Sequence, residues 1–549
     1  MQPDPKAIIE GLAFFGRLPF YLLRRIHEAQ PEPLVRSSIE DRSEALLDRV
    51  REDVFARPDG VYAALMRHAG CECGDVDRGV KRDGLEATLT ALFRAGVYLT
   101  VDEFKGRQPV RRGNSLQIEA GPDRTRSPRA GIHLRGSSGG SRSAGTPVLF
   151  DLDFVRACAV NCYVNLLARG GRDWIKADWE SPGAGARFRL MKYSAFGRPP
   201  QAWFTQMHLD DPLLPGTVRW NTRVMRAAGW VVGRPFPKPV HAPLSQPEPV
   251  AAWLAATRRR GLTPVLQTFP SSAVRACLAA AQLGYDIAGS KFIVGGEPVT
   301  EFGRATIEST GSEAIPRYGS MEAGAVGYGC LHGCYADDVH LVENMHALIQ
   351  AGPDGPERGL SSQGLLLTAL HCRSPFLMIN TSMGDEAVIE DRDCGCPLQQ
   401  LGWTKHLHDV RSFEKLTTLG VTFLGSDLIP ILEQVLPSAF GGAPTDFQLV
   451  EGEGSDGQPF LEIRVHPRVG PLDGALVMDT FCSAISKNSS TWAERLRLWR
   501  DAGILRVSRQ APKTSKAGKI LHIHRLGAGD KSVARGEVAL VPTTASVPH

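Results

Sequence analysis

Lys291-Phe-Ile-Val-Gly-Gly-Glu-Pro298 and Arg317-Tyr-Gly-Ser-Met-Glu-Ala-Gly324 are the stretches on which the reading of this chain turns. The first runs from a strand-like segment at 291–294 into a double glycine, a carboxylate and a proline. In the second, an aromatic beside a glycine suits the flat face of a purine, and the carboxylate of Glu322 suits a magnesium ion on phosphate oxygens. Each stretch alone is also an ordinary strand, turn and helix junction. The surroundings say more: residues 264–269 read as a strand, 271–283 as a helix and 291–294 as a strand. That succession predicts an α/β core.

Further segments on either side carry chemistry of the same kind. Arg135-Gly-Ser-Ser-Gly-Gly-Ser-Arg-Ser-Ala-Gly-Thr-Pro-Val148 lies between apolar runs at 131–134 and 148–150. Glycines let backbone N–H groups converge and serine hydroxyls add donors, which suits a triphosphate, although the Walker pattern is absent. Asn380-Thr-Ser-Met-Gly-Asp385 sets a carboxylate after a glycine turn, where it can accept both hydroxyls of a ribose. Arg411 precedes a strand-like run at 416–423. Pro512-Lys-Thr-Ser-Lys-Ala-Gly-Lys-Ile520 is a basic loop whose Lys519 can reach a developing pentavalent phosphate.

Bulk properties narrow the classes. A chain of 549 residues exceeds a single core and predicts two or three domains. Apolar residues at 42% and charged residues at 22% are ordinary for a globular protein, and a net charge of +4 gives no sign of a dedicated nucleic-acid binder. No apolar run is long enough to span a bilayer and no signal peptide pattern opens the chain, so the expected location is the cytoplasm. Helical spacing at 5–28, 39–55, 61–68 and 85–95 predicts a helical N-terminal region, 1–130, packed on a core at 131–410. The run 235–249 reads as a loop. Strands at 416–423, 447–451 and 460–465 with helices at 474–485 and 491–502 predict a separate α+β unit at 411–530, followed by a tail at 531–549.

Taken in order, the Gly/Ser loop, Gly-Gly-Glu-Pro, Tyr-Gly-Ser-x-Glu, Gly-Asp, arginine and terminal Gly-Lys resemble the acyl-adenylate-forming (AMP-binding) superfamily. Gly295-Gly-Glu-Pro-Val-Thr-Glu301, Tyr318-Gly-Ser-Met-Glu322, Leu419-Gly-Val-Thr-Phe423 and Thr268-Phe-Pro-Ser-Ser272 are most similar to its phenylacetate-CoA ligase branch. The resemblance implies an α/β fold with a large N-terminal domain of mixed sheets and helices and a small mobile α+β C-terminal domain. It implies an ATP-dependent ligase that activates a carboxylic acid as acyl- or aryl-AMP and passes it to a thiol, with coenzyme A or a carrier protein as acceptor. A non-catalytic nucleotide-binding homologue is the alternative, and Glu322, Asp385 and Lys519 together argue against it.

By the same resemblance, Ser137, Ser138, Gly139, Gly140, Ser141 and Ser143 cradle the phosphates. Gly295, Gly296, Glu297 and Pro298, with Tyr318, Gly319 and Ser320, border the adenine. Glu322 holds magnesium, Asp385 and Arg411 contact the ribose, and Lys519 serves adenylation, with Lys513 and Lys516 as competitors. The chain departs from the branch in its lengthened phosphate loop with Arg142, and in Arg411-Ser-Phe-Glu-Lys415, which lacks the acidic pair at the pivot. Segments 193–197 and 203–208 and the helix after Pro270 fall where family acid pockets lie, with Phe196, Trp203 and Phe204 as lining candidates.

Eleven cysteines in a chain expected to be reduced are read as metal ligands where they cluster. Cys330, Cys334, Cys394 and Cys396 form two close pairs, a donor set for structural zinc. Branch members with cysteine and histidine ligands in these places point the same way, with His332 as the reserve ligand. The expected partners are therefore a carboxylic acid, coenzyme A or a carrier protein, ATP, magnesium and zinc, with no nucleic acid and no membrane span; a homodimer is left open.

Overall fold

The computed structural model describes residues 5–131, 134–137, 147–212, 214, 216–412, 415–418, 421–424, 428, 430–454, 458–486, 490–513 and 523–525. Helices occupy Pro5–Leu23, Pro31–Glu40, Arg42–Arg49, Val61–His68, Cys73–Asp83 and Leu85–Arg94 in the N-terminal region. Two of these escape the apolar pattern for physical reasons. Pro31–Glu40 opens on Pro31 and Pro33, which read as breaks but are tolerated in a first turn, where the missing N–H would go unbonded anyway. Cys73–Asp83 buries only Val76 and Val80, too thin a stripe to recognise. The first helix docks on the domain, with Leu18 and Leu22 buried and the Tyr21 hydroxyl donating to Met191 O at 3.2 Å. Among the described residues no helix is long and apolar enough to cross a membrane.

Two hairpins follow, β1 (Val110–Arg112) with β2 (Leu116–Ile118) and β3 (Leu134–Ser137) with β4 (Pro147–Phe150). The main sheet then takes β5 (Ile175–Glu180), β6 (Ala202–Thr205), β7 (Pro239–His241), β8 (Pro264–Thr268), β9 (Lys291–Val294), β10 (Glu313–Ser320), β11 (Gly324–Gly329), β12 (Val339–Leu341), β13 (His346–Gln350), β14 (Gly364–Ala369), β15 (Thr381–Asp391) and β16 (Lys405–Ser412). Their order is β13-β14-β15-β16-β12-β11-β10-β9-β8-β5-β6-β7. From β7 to β10 neighbours are parallel, and from β10 to β13 they are antiparallel. β8 is buried at every position, as a central parallel strand covered on both faces must be. The expected loop at 235–249 contains β7, an edge strand that tolerates proline because its outer N–H groups need no partner. The fold is α/β, and β10 joins its parallel and antiparallel halves.

The N-terminal helices are tied to the sheet by backbone. Leu99 forms a parallel bridge with Thr381: Leu99 N donates to Asn380 O at 3.2 Å and Ser382 N to Leu99 O at 2.8 Å. Asn380 takes a left-handed conformation, φ 47°, and its amide donates to Leu89 O and Val97 O at 2.7 and 3.2 Å. Tyr62 Oη lies 2.6 Å from Thr381 Oγ1.

Contacts divide the described chain into two compact units, with the boundary at Gly420 and Val421. The second is α+β. Its four-stranded sheet is ordered Leu505–Ser508, Pro459–Val465, Phe447–Glu453, Ile523–Arg525, accompanied by helices Gly474–Ser486 and Ser490–Asp501. The strand expected at 416–423 is divided into Lys415–Thr418 and Val421–Leu424.

His346, on β13, is fully buried with Nε2 3.0 Å from Ala325 O, and burial pushes its imidazole down from 6.5 to about 4. The unfolded chain therefore takes up this proton first as pH falls below 6.5, and stability is lost on the way down. From about pH 7 to about pH 5.5 the loss from this histidine should be about 1 kcal/mol in urea unfolding, and His346→Asn should remove it.

Candidate active site

At the end of β10 the backbone is packed so closely that only glycine fits. A Cβ at Gly319 would lie 2.2 Å from Gly324 O across the hairpin, and one at Gly295 would lie 2.2 Å from Arg317 O. The Gly-Gly-Glu-Pro turn is thereby pressed against the strand that carries Tyr318. Gly296 follows in the same turn at φ +84°. The Glu297 carboxylate accepts from Ser271 N and Ser271 Oγ, both at 3.1 Å, and so binds the start of the helix Pro270–Gln282. It anchors the turn that also holds Pro298.

Tyr318 and Asp385, far apart in sequence, are brought together. Its hydroxyl donates to Asp385 Oδ2 at 3.0 Å, and the phenol, desolvated and facing that carboxylate, is raised well above its ordinary value and stays a donor. Tyr318, Ser320, Thr381, Met383 and Asp385 line one small pocket. Ser320 Oγ also accepts from Ala323 N at 3.1 Å, fixing the turn that presents Glu322.

Arg411 is the expected residue that is not brought in. Its guanidinium bonds Asp409 at 2.6 Å and is half exposed. The cause is a β-bulge: Val388 faces His408 but Asp385 faces Ser412, so β16 carries an extra residue, and Asp409 takes φ 54°. The extra residue puts Ser412, not Arg411, opposite Asp385, with Ser412 Oγ 3.2 Å from Asp385 Oδ1. Asp337 supports the bulge by accepting from Asp409 N at 3.1 Å and Val410 N at 2.7 Å.

Glu322, 3% exposed, lies between β10 and β11 and is ion-paired with Lys105. The ammonium supplies the positive charge that so buried a carboxylate needs. The Gly/Ser loop starts next to it: a Cβ on Gly136 would lie 2.8 Å from Ala184 Cβ and 3.3 Å from Met321 Cε. Ser137 ends β3 there. Ser138, Gly139, Gly140, Ser141, Ser143 and Lys519 lie outside the described residues.

Where the parallel strands end, Arg189 joins Asp178 and Glu180 of β5, and burial pushes Glu180 up to about 7 against the pull of Arg189. The Tyr193 hydroxyl donates to Gln267 at 2.6 Å, and Lys192 Nζ lies 3.4 Å from the same oxygen. Phe196, Trp203 and Phe204 are core residues, Phe196 stacked on Tyr163 and Phe204 against Trp253.

The cysteine cluster gains two histidines. Donor atoms of Cys330, His340, Cys394 and His406 lie within 4.8 Å of one another, and Cys396 Sγ is 3.1 Å from His340 Nε2. A hydrogen bond between Cys330 and Cys396 lowers the Cys396 thiol and raises that of Cys330. His406 Nδ1 lies 2.8 Å from Asp338, while its buried Nε2 has no hydrogen-bond partner. That is how a metal-binding histidine is held, with one nitrogen oriented by a carboxylate and the other free. The group therefore fits zinc. Cys334 is exposed and outside it, with its N–H on Asp338 at 2.8 Å, and the His332 ring lies 2.8 Å from Cys394 O. The histidines escaped sequence reading because they are single residues on strands. The signal lies in register, since His340 and His406 are cross-strand partners.

The solved structure of a 2-hydroxyisobutyryl-CoA ligase, in complex with 2-HIB-AMP and CoA in the thioesterification state, matches with a TM-score of 0.51 at 13% identity, over 91% of each chain. This chain has the acyl-adenylate-forming fold. Looser likenesses, which carry no argument, include an amide bond synthetase from Marinactinospora thermotolerans (TM-score 0.36, 13% identity, 74% of this chain and 70% of that one) and an o-succinylbenzoate CoA synthetase from Bacillus subtilis (0.37, 11%, 75% and 72%). No family model and no curated protein matches the chain.

The glycine contacts make the packing of the turn after β9 testable. Gly295→Ala should lower stability by about 2 kcal/mol or more in urea unfolding, because the Cβ meets backbone that cannot yield.

Proposed function

We propose that the protein is an ATP-dependent acid–thiol ligase of the phenylacetate-CoA ligase type, with coenzyme A as the acceptor. The observation that carries this reading is the convergence of Tyr318, Asp385 and Glu322 with the start of the Gly/Ser loop, at one end of β10, in an acyl-adenylate-forming fold. A nucleotide laid there would have its adenine at Tyr318 and the Gly295–Pro298 turn, its ribose at Asp385 and its phosphates between the loop and Glu322. In the first half-reaction a carboxylate oxygen of the acid attacks the α-phosphorus and the bond to pyrophosphate breaks. In the second, a thiol sulfur attacks the acyl carbon, AMP leaves and the thiol proton passes to solvent.

A divalent cation on Glu322 would neutralise phosphate charge. Asp385 fixes the ribose, with Tyr318 and Ser412 holding the carboxylate still. Lys519 supplies a compact positive charge to the transition state of the first step. The C-terminal unit, from Val421 onward, is proposed to rotate between the two steps. Cys330, His340, Cys394 and His406, with Cys396 beside them, would hold a structural zinc; a closed four-ligand site leaves no place for water. This set replaces the four-cysteine expectation, because Cys334 stands outside the group.

Pyrophosphate release with a panel of aryl and fatty acids, with and without coenzyme A, tests the reaction. Lys519→Ala should cut acid-dependent pyrophosphate release by about a hundredfold or more while leaving ATP binding nearly unchanged. Unchanged release removes the assignment of Lys519, and AMP release that ignores coenzyme A and needs a protein thiol removes coenzyme A as acceptor.

Metal analysis tests the second site. About one zinc per chain is expected. Cys330→Ser and His340→Ala should lose it, and Cys334→Ser should retain it.

A further inference from the structure

Lys105 belongs to none of the nucleotide motifs, and it sits on Glu322. Its side chain is 12% exposed and that of Glu322 is 3% exposed. The lysine is not a surface residue that has swung in by chance, because each residue before it is fixed. Thr100 caps the short helix Val101–Phe104, with Glu103 N donating to Thr100 Oγ1 at 3.3 Å and Thr100 N to the Glu103 carboxylate at 2.9 Å. Arg112 holds Glu103 in a buried pair at 2.7 Å. Phe104 is fully buried edge-on against Phe376, with ring centroids 5.2 Å apart, and Leu99 is bridged to the strand that carries Asp385. The backbone that delivers Lys105 is therefore fastened to the same strand as the ribose carboxylate.

The charges decide what this placement does. A carboxylate this buried needs a cation, and the ammonium of Lys105 supplies one with no metal present. A divalent cation arriving alone would meet that ammonium at the same oxygens and be repelled. Arriving with a triphosphate, it brings more negative charge than it carries, and the flexible lysine stem can transfer its ammonium to a phosphate oxygen without backbone motion.

We propose that Lys105 is a built-in counter-cation for Glu322, which keeps the carboxylate closed to free divalent cations and opens it when nucleotide enters. The metal is then taken up with ATP and not ahead of it. The proposal rests on reading Glu322 as the magnesium carboxylate. It assigns the N-terminal region a part in the site.

Manganese titrations of the full chain, followed by the electron paramagnetic resonance of free Mn2+, test this without turnover. In the absence of nucleotide, Lys105→Met should bind one Mn2+ at least about tenfold more tightly than the wild type, and Lys105→Met/Glu322→Gln should lose that gain. Equal binding by Lys105→Met and wild type overturns the proposal. A gain that survives in the double variant shows the metal is not on Glu322, so the reading of that residue fails together with the proposal. Should Lys105→Met not fold, the wild type decides the matter against Glu322→Gln. A Glu322-dependent Mn2+ site is expected only with a non-hydrolysable ATP analogue, and its presence without nucleotide overturns the proposal.

Discussion

The backbone joint between Leu99 and the Thr381 end of β15 is the constraint on which the candidate site depends. Here a strand of the main sheet pairs with a segment of the N-terminal region, and Leu99, Asn380, Thr381 and Ser382 at the joint are all buried. Each polar group there needs a partner, since leaving one unmade costs about 1–3 kcal/mol. Asn380 meets much of the requirement by adopting a left-handed backbone, which turns its amide onto Leu89 O and Val97 O. Asparagine is among the few residues that tolerate this conformation. The helical region before residue 130 is thus not a cap added to a finished core, because the strand that carries Asp385 is completed by it.

From that joint the site is assembled by proximity of backbones more than by long side chains. Gly295 and Gly319 allow the turn after β9 and the β10–β11 hairpin to touch β10, and Gly136 brings β3 against Met321. Close contact of this kind fixes positions, since packed backbone has no low-cost way to yield. It also explains why the charged groups can be buried. Glu322 with Lys105, and Asp178 with Arg189, are held at fixed separations where attraction can offset the cost of leaving water.

The motifs made of glycine and strand-end residues were legible in the sequence, because their spacing follows from the turns they make. Gly295, Tyr318, Glu322 and Asp385 fall in one region as their order implied. Lys105, Ser412, His340 and His406 were not legible. Each lies on a strand, or just after a short helix, whose partner is far away in sequence, and nothing local distinguishes it from a surface lysine or a core residue. The two helices missed in the N-terminal region failed for a local reason, a proline-rich first turn in one and a two-residue apolar stripe in the other.

Arg411 illustrates a limit of a different kind. The resemblance implies a ribose contact for it, and regular pairing from Val388 and His408 would place it opposite Asp385. One inserted residue moves Ser412 into that place, and the shift is supported twice, by the left-handed Asp409 and by Asp337, which accepts both N–H groups that the bulge frees. Asp337 adjoins Asp338, the carboxylate that orients His406 in the cysteine and histidine group. The turn that positions a candidate metal ligand therefore also sets the register of the strand facing Asp385. Two groups that look separate in sequence share one piece of backbone, and whatever fixes Asp338 against His406 also fixes Asp337 against the bulge that faces Asp385.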